Sequence, residues 1–248
     1  MDGLVYVATG REYISAALMS IMSARRFYSG PVLVLTDTPR ARLWRKAKRE
    51  LDVDVMCVEN DYDRLPQSSR FLKTQAMQFS PFDRSIFIDA DTFVFRPFDA
   101  LWDYVDDEHP LAMAVSQFHP TTRAVGADPK WKKVGVYQGD FKLMLSVTGP
   151  DFPHWHSSTM VWRRCPEITK LSQTWFVEWQ HFKSRDMMAL ARSLYTQQLP
   201  VNSIPRKFNL RHRTKEDTVI FSTHMKKMRK VYEKYPRMVK KVRGILHG

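Results

Sequence analysis

Short apolar runs alternate with amphipathic stretches through the first ninety residues. Leu4–Ala8, Pro31–Leu35, Val53–Val58 and Ser85–Ile88 have the length and composition of buried strands. Between them, Glu12–Phe27 sets Ile14, Ala17, Leu18, Ile21 and Met22 on one helical face. Arg40–Leu51 reads as a basic helix, and Ser68–Phe79 as a helix capped by Ser68 or Ser69. Strands that alternate with helices predict an α/β domain with a mostly parallel central sheet. Further on, Leu111–Val115 and Trp155–Trp162 read as strands, and Phe98–Tyr104, Ile168–Phe182 and Arg185–Tyr195 as helices. Thr218–Phe221 is a last short strand. Residues 119–153, rich in Gly and Pro, are expected to be an irregular insertion.

Composition narrows the class. The chain has 248 residues, 44 % of them hydrophobic, enough for one large domain with a core of its own. Its two cysteines, Cys57 and Cys165, are too few for a disulfide scaffold or a multi-cysteine zinc module and read as free thiols of a reducing compartment. No run approaches the roughly 18 apolar residues of a membrane span. The N-terminus lacks the basic and apolar regions of a signal peptide, so a cytoplasmic location is expected. The net charge of +13 is uneven: nine Lys and Arg between residues 226 and 243 face one acid, Glu233. A basic balance suits anionic partners.

The strongest chemical signal follows the fourth apolar run. Ile86-Phe87-Ile88 delivers Asp89-Ala90-Asp91 to the edge of the predicted sheet, and ligands of open α/β sheets lie beyond the carboxyl ends of strands. In extended backbone, residues i and i+2 point to one side. Two hard carboxylates there suit Mg²⁺ or Mn²⁺, which a substrate phosphate can share. Two enzyme classes use such a pair. One is nucleotide-sugar transferases. The other is haloacid-dehalogenase-like phosphatases, in which Asp89 would be the nucleophile. Against the phosphatase, Thr92 stands one position too early, and the later acidic pair Glu216-Asp217 precedes its strand rather than following it.

Lys73-Thr74-Gln75, Ser80-Pro81-Phe82-Asp83-Arg84, Phe87–Thr92 and Arg96–Trp102 together resemble the metal-binding core of GT-A-fold glycosyltransferases. The likeness is greatest to the family of glycogenin and bacterial lipopolysaccharide galactosyltransferases. It implies a GT-A-type, Rossmann-like domain over residues 1–224, followed by a basic helical tail over 225–248. It implies transfer of a sugar from a nucleotide diphosphate, UDP by preference, to an acceptor hydroxyl with retention of configuration. The acceptor would be a glycan, a lipid-linked sugar or a protein.

The resemblance also implies roles. Ala8, Thr9 and Tyr13 would hold the base, and Lys73 and Lys227 the diphosphate. Asp89, Asp91 and His224 would ligate Mn²⁺ or Mg²⁺, with Ala90 in the same turn. Ser157 and Ser158 lie in the segment that resembles the family's Asn-x-Gly strand, where His156 and Ser158 stand for Asn and Gly. Asp186 would act at the donor sugar, with Met187 replacing the family's Gln.

The tail carries Val231, Tyr235, Met238, Val242 and Leu246 at helical spacing beside its cations. That pattern fits an interfacial helix giving peripheral membrane contact through 226–243, and equally a helix packed on its own domain. No nucleic-acid recognition motif accompanies the charge. A non-catalytic basic binding module is the remaining alternative.

Overall fold

The computed structural model describes residues 1–62, 65–115, 135–210, 216–222 and 225–247. Its core is a seven-stranded sheet in the order β3-β2-β1-β4-β7-β6-β8. β1 (Asp2–Val7), β2 (Val32–Thr36), β3 (Asp54–Cys57) and β4 (Arg84–Ile88) run parallel. β7 (Trp155–Arg163) runs antiparallel between β4 and β6 (Leu111–Val115), and β8 (Val201–Ser203) pairs parallel with β6. The sheet is therefore mostly parallel, as the alternation of elements predicts.

The first two strands and β4 are apolar at every central position because helices cover both faces of the sheet. Alternate residues serve opposite cores. Leu4, Tyr6, Val34 and Ile86 face one side, where α1 (Gly10–Ala24) and α2 (Ala41–Leu51) pack. Val5, Val7, Leu33, Leu35 and Phe87 face the other. That side carries α3 (Leu65–Thr74), α4 (Ala76–Phe79), α6 (Pro166–Gln180) and α7 (Asp186–Gln197). Gly10 takes φ 61°, which lets the chain reverse from β1 into α1 at little steric cost.

Several elements differ from the sequence reading. The helix expected over Ser68–Phe79 begins at Leu65 and breaks at Gln75, so Ser68 is not its cap. Ser68 is buried inside α3 and donates to Asp37 Oδ2 at 2.5 Å. Asp89 and Asp91 are not on a strand. They occupy the turn between β4 and a short β5 (Thr92–Val94), which the sequence did not suggest. β5 pairs antiparallel with β9 (Ile220–Ser222).

Within the expected irregular insertion, residues 119–134 lie outside the described residues, but α5 (Gly135–Thr148) is a helix of four turns. Gly139 does not break it. A Cβ there would stand 3.2 Å from the Phe182 ring, so the glycine admits a close approach.

The tail forms two helices, α8 (Met225–Tyr232) and α9 (Pro236–His247), parted at Glu233–Tyr235. Met228, Tyr232, Val242 and Ile245 join the same core as α1 and α2, with Val231, Tyr235, Met238 and Leu246 packed against it. The apolar stripe is thus turned inward. Among the described residues, no helix is long and apolar enough to cross a membrane.

Candidate active site

The carboxyl ends of β1 and β4, the start of β7 and the first turn of α7 converge on one place. Lys73, on the last turn of α3, is its centre. Its Nζ donates to Asp89 Oδ1 at 2.8 Å and lies 3.6 Å from Asp186 Oδ2. Only 11 % of the Lys73 side chain is exposed. Burial works against its charge, but the two carboxylates outweigh burial and hold the ammonium pKa above its ordinary value. Asp186 is the mirror case. Burial raises its pKa, while Lys73, Arg70 and a hydrogen bond from Ser157 lower it by more, and the net shift is downward. Both groups are charged at neutral pH.

A hydrogen-bonded framework stands behind Asp186. Ser157 Oγ donates to its Oδ2 at 3.0 Å, and Trp175 Nε1 to its backbone carbonyl at 2.8 Å. Trp179 Nε1 holds the Ser184 carbonyl at 2.9 Å. Ser184 Oγ in turn donates to Asp140 on α5. Arg192, almost wholly buried, donates to Asp140 Oδ1 and to Glu178 Oε2 at 2.6 Å each.

Asp89 is fixed from its backbone, whose N–H donates to the Ser158 carbonyl at 2.9 Å. The Ser158 hydroxyl points elsewhere, to Asn209 Oδ1 at 2.7 Å. Adjacent serines on β7 thus serve the two sides of the site. Ala90 is buried between the two aspartates.

Tyr13, on the first turn of α1, is half-buried. Burial raises its pKa first, and the charges of Asp91, Glu12 and Asp89 add to that. Ala8 has both main-chain polar groups engaged: its N–H donates to the Leu35 carbonyl, and its own carbonyl accepts from Thr36 Oγ1. Thr9 is buried, and its Oγ1 has no hydrogen-bond partner among the described residues.

The structure therefore brings Tyr13, Lys73, Asp89, Asp91, Ser157 and Asp186 to one locality. His224 and the Lys227 side chain lie outside the described residues. β9 nevertheless ends at Ser222, paired with Thr92, the residue after Asp91. Two participants escaped the sequence reading. Arg70 stands one turn before Lys73 and acts on Asp186 and Tyr13. The i, i+3 spacing of two cations on α3 is the signal that was there to find. Asn209, buried, has no local pattern to announce it.

Among the described residues, no three metal-ligating side chains cluster. The donor chemistry of the turn, two hard carboxylates joined by one residue, fits a small divalent cation.

No protein-family model and no curated protein matches the chain. Solved structures do. Mouse xyloside xylosyltransferase 1 superposes with a TM-score of 0.56 at 12 % identity, over 90 % of this chain and 97 % of that one. The galactosyltransferase LgtC, solved with donor and acceptor sugar analogues, gives 0.62 at 13 % over 97 % and 95 %. The glycosyltransferase GlyE of Streptococcus pneumoniae gives 0.57 at 13 %, over 90 % of this chain and 55 % of its own. The chain has the GT-A glycosyltransferase fold. In that fold the carboxylate turn after β4 sits at the carboxyl edge of the sheet, where β1 and β4 end side by side.

Proposed function

We propose that the chain is a metal-dependent glycosyltransferase that moves a sugar from a UDP-sugar to an acceptor hydroxyl, with retention. The acceptor belongs to a glycan, a lipid-linked sugar or a protein. The observation that carries this reading is the buried Asp89–Lys73–Asp186 array beside Asp91. A solvated turn has no need of a desolvated lysine held between two carboxylates.

In this reading, Asp89 and Asp91 hold Mn²⁺ or Mg²⁺, with His224 as third ligand. The pairing of β9 with β5 supports that choice, because it ends next to Asp91. The bound cation offsets charge on the departing diphosphate. Lys73, and Lys227 by the resemblance, bind the diphosphate. Ala8, Thr9 and Tyr13 take the base. Asp186 faces the donor sugar and stabilises positive charge at its anomeric carbon. Ser157 fixes the carboxylate that does so, and Ser158, through Asn209, braces the strand beneath. Residues 1–224 form the transferase domain and 225–248 the basic tail, which contributes Lys227. The two free thiols suit a cytoplasmic setting.

Titration calorimetry with UDP, GDP, ADP and CDP, each with Mn²⁺ and with EDTA, tests the reading. UDP is expected to bind only with metal, and Asp91→Asn to abolish that binding. Binding of none of the four, or binding that ignores both metal and the substitution, overturns it.

A further inference from the structure

We infer that Arg192 and Asp140 are positioning residues for Asp186: their ion pair, acting through Ser184, holds the turn that carries this carboxylate to Lys73. The inference rests on the proposed role of Asp186 at the donor sugar. The turn, residues 181–185, joins α6 to α7. No side chain hydrogen-bonds at the Arg185 cap position, so α7 has no cap to fix its start. Within the turn, Lys183 takes φ 46°, a left-handed conformation that crowds its Cβ. Such a conformation persists only where its surroundings hold it.

Two helices supply the hold. From α6, the Trp179 and Trp175 indoles donate to the carbonyls of Ser184 and Asp186. From α5, adjacent residues receive the turn. Asp140 Oδ2 accepts from Ser184 Oγ, and Gly139 leaves room for the Phe182 ring. Asp140 Oδ1 accepts from Arg192 at 2.6 Å, so both oxygens of this buried carboxylate are in use. Arg192 spends its whole fork. Nη1 goes to Asp140, Nε to Glu178 Oε2, and Nη2 to the Glu178 carbonyl at 3.2 Å. Phe182 lies against the guanidinium, with Cζ 5.8 Å from the ring centroid. One buried guanidinium thus joins α5, α6 and α7 and orients the carboxylate that grips Ser184.

Burial of the pair argues for positioning rather than stability. Taking two charges out of water costs about what their attraction returns, and apolar residues of similar volume often pack as well. Met144, Met188 and Ala191 already pack in that way beside the pair. Apolar packing cannot supply a directional bond to Ser184, two residues before Asp186. Direction matters at the target. The contact of Lys73 Nζ with Asp186 Oδ2, at 3.6 Å, is longer than a hydrogen bond. Ser157 fixes the carboxylate oxygen, and the turn must fix the backbone beneath it. A displacement of about 1 Å at a reacting centre costs about 10²-fold in rate.

The test uses the full chain with Mn²⁺. Ser184→Ala cuts the path and leaves the ion pair in place. Arg192→Lys keeps the charge and loses the fork, and Ser184→Thr keeps the hydroxyl. Gln197→Ala is the control, because it removes a hydrogen bond between the same two helices, Gln197 Nε2 to Thr174 Oγ1 at 2.7 Å, at the far end of α7. The first readout is the indole N–H signal of Trp175 in proton–nitrogen NMR, assigned with Trp175→Phe, since that group bonds to Asp186 itself. It is expected to shift, and to exchange faster with solvent, in Ser184→Ala and Arg192→Lys. It should keep its wild-type position in Ser184→Thr and Gln197→Ala. The second readout is release of UDP from UDP-glucose, UDP-galactose and UDP-xylose, alongside calorimetric affinity for UDP. Ser184→Ala should lower kcat at least about tenfold and leave KM and UDP affinity unchanged, because Asp186 acts on the transition state. A Trp175 signal that Ser184→Ala leaves unmoved overturns the inference. So does an equal change in Gln197→Ala, or a loss confined to KM. Wild type that neither binds UDP nor releases it from any donor overturns the transferase reading instead, and the Trp175 signal still decides whether the ion pair holds the turn.

Discussion

Lys73 and Asp186 hold each other charged in a place where neither would ionise easily alone, and this gives stability a defined pH window. The Asp186 pKa is lowered, so its contribution is present above the unfolded value near 3.9 and fades as pH falls through the folded one. The Lys73 pKa is raised, so its contribution is present below the unfolded value near 10.4 and is lost as pH rises through the folded one. Thermal melts of wild type and Asp186→Asn should therefore differ most between about pH 5 and 9 and converge only at acid pH below the unfolded value near 3.9, as the lowered Asp186 pKa is passed. Tyr232 makes the opposite case. Its hydroxyl is buried with no hydrogen-bond partner among the described residues, and burial pushes its pKa upward. Tyr232→Phe keeps the ring on Phe93 and removes an unsatisfied group. The melting temperature should hold or rise, by up to about 1 kcal/mol of stability. A clear fall would mean that the hydroxyl has a partner within the fold.

The α5–α7 contact combines a small apolar cluster, Met144 against Met188 and Ala191, with a buried ion pair. Arg192 and Asp140 are each about 2 % exposed. Arg192→Met leaves Asp140 as a buried charge without its partner, at a cost of about 3–5 kcal/mol. Hydrogen exchange should then quicken first in α5 and in residues 184–186, the segment that delivers Asp186. Here the limits of sequence reading have physical causes. The apolar runs of β1, β2 and β4 and the amphipathic spacing of α1 and α7 declared themselves, because burial on one or two faces imposes a period. α5 did not, since Gly135 and Gly139 look like breakers until Phe182 is seen against Gly139. β5 and β8 are three residues each, too short to show any period. At the site, Asp89 and Asp91 stood out by their spacing after an apolar run, and Lys73 and Asp186 only through the resemblance. Arg70 and Asn209 depended on which helix face and which loop meet in space, and no local pattern encodes that.

The basic tail belongs to the core it leans on. Met228, Tyr232, Val242 and Ile245 are buried with the sheet. At about 2 kcal/mol for each apolar side chain exposed, losing the four removes most of a typical stability of about 5–15 kcal/mol. A chain ending at residue 224 should therefore show no cooperative melt and bind a hydrophobic dye. Cooperative unfolding of that chain would show the tail to be dispensable for folding. The pairing of β5 with β9 has a consequence in time as well as space. Thr92 sits next to a carboxylate turn made early in synthesis, yet its partner Ser222 is added 130 residues later. The parallel half of the sheet, β1 to β4, is complete in sequence once residue 88 has been added. The brace beside Asp91 waits for nearly the whole chain. On the ribosome, the scaffold can assemble while the candidate site is still open on one side, so a nascent chain of this protein gains its architecture well before its capacity to act.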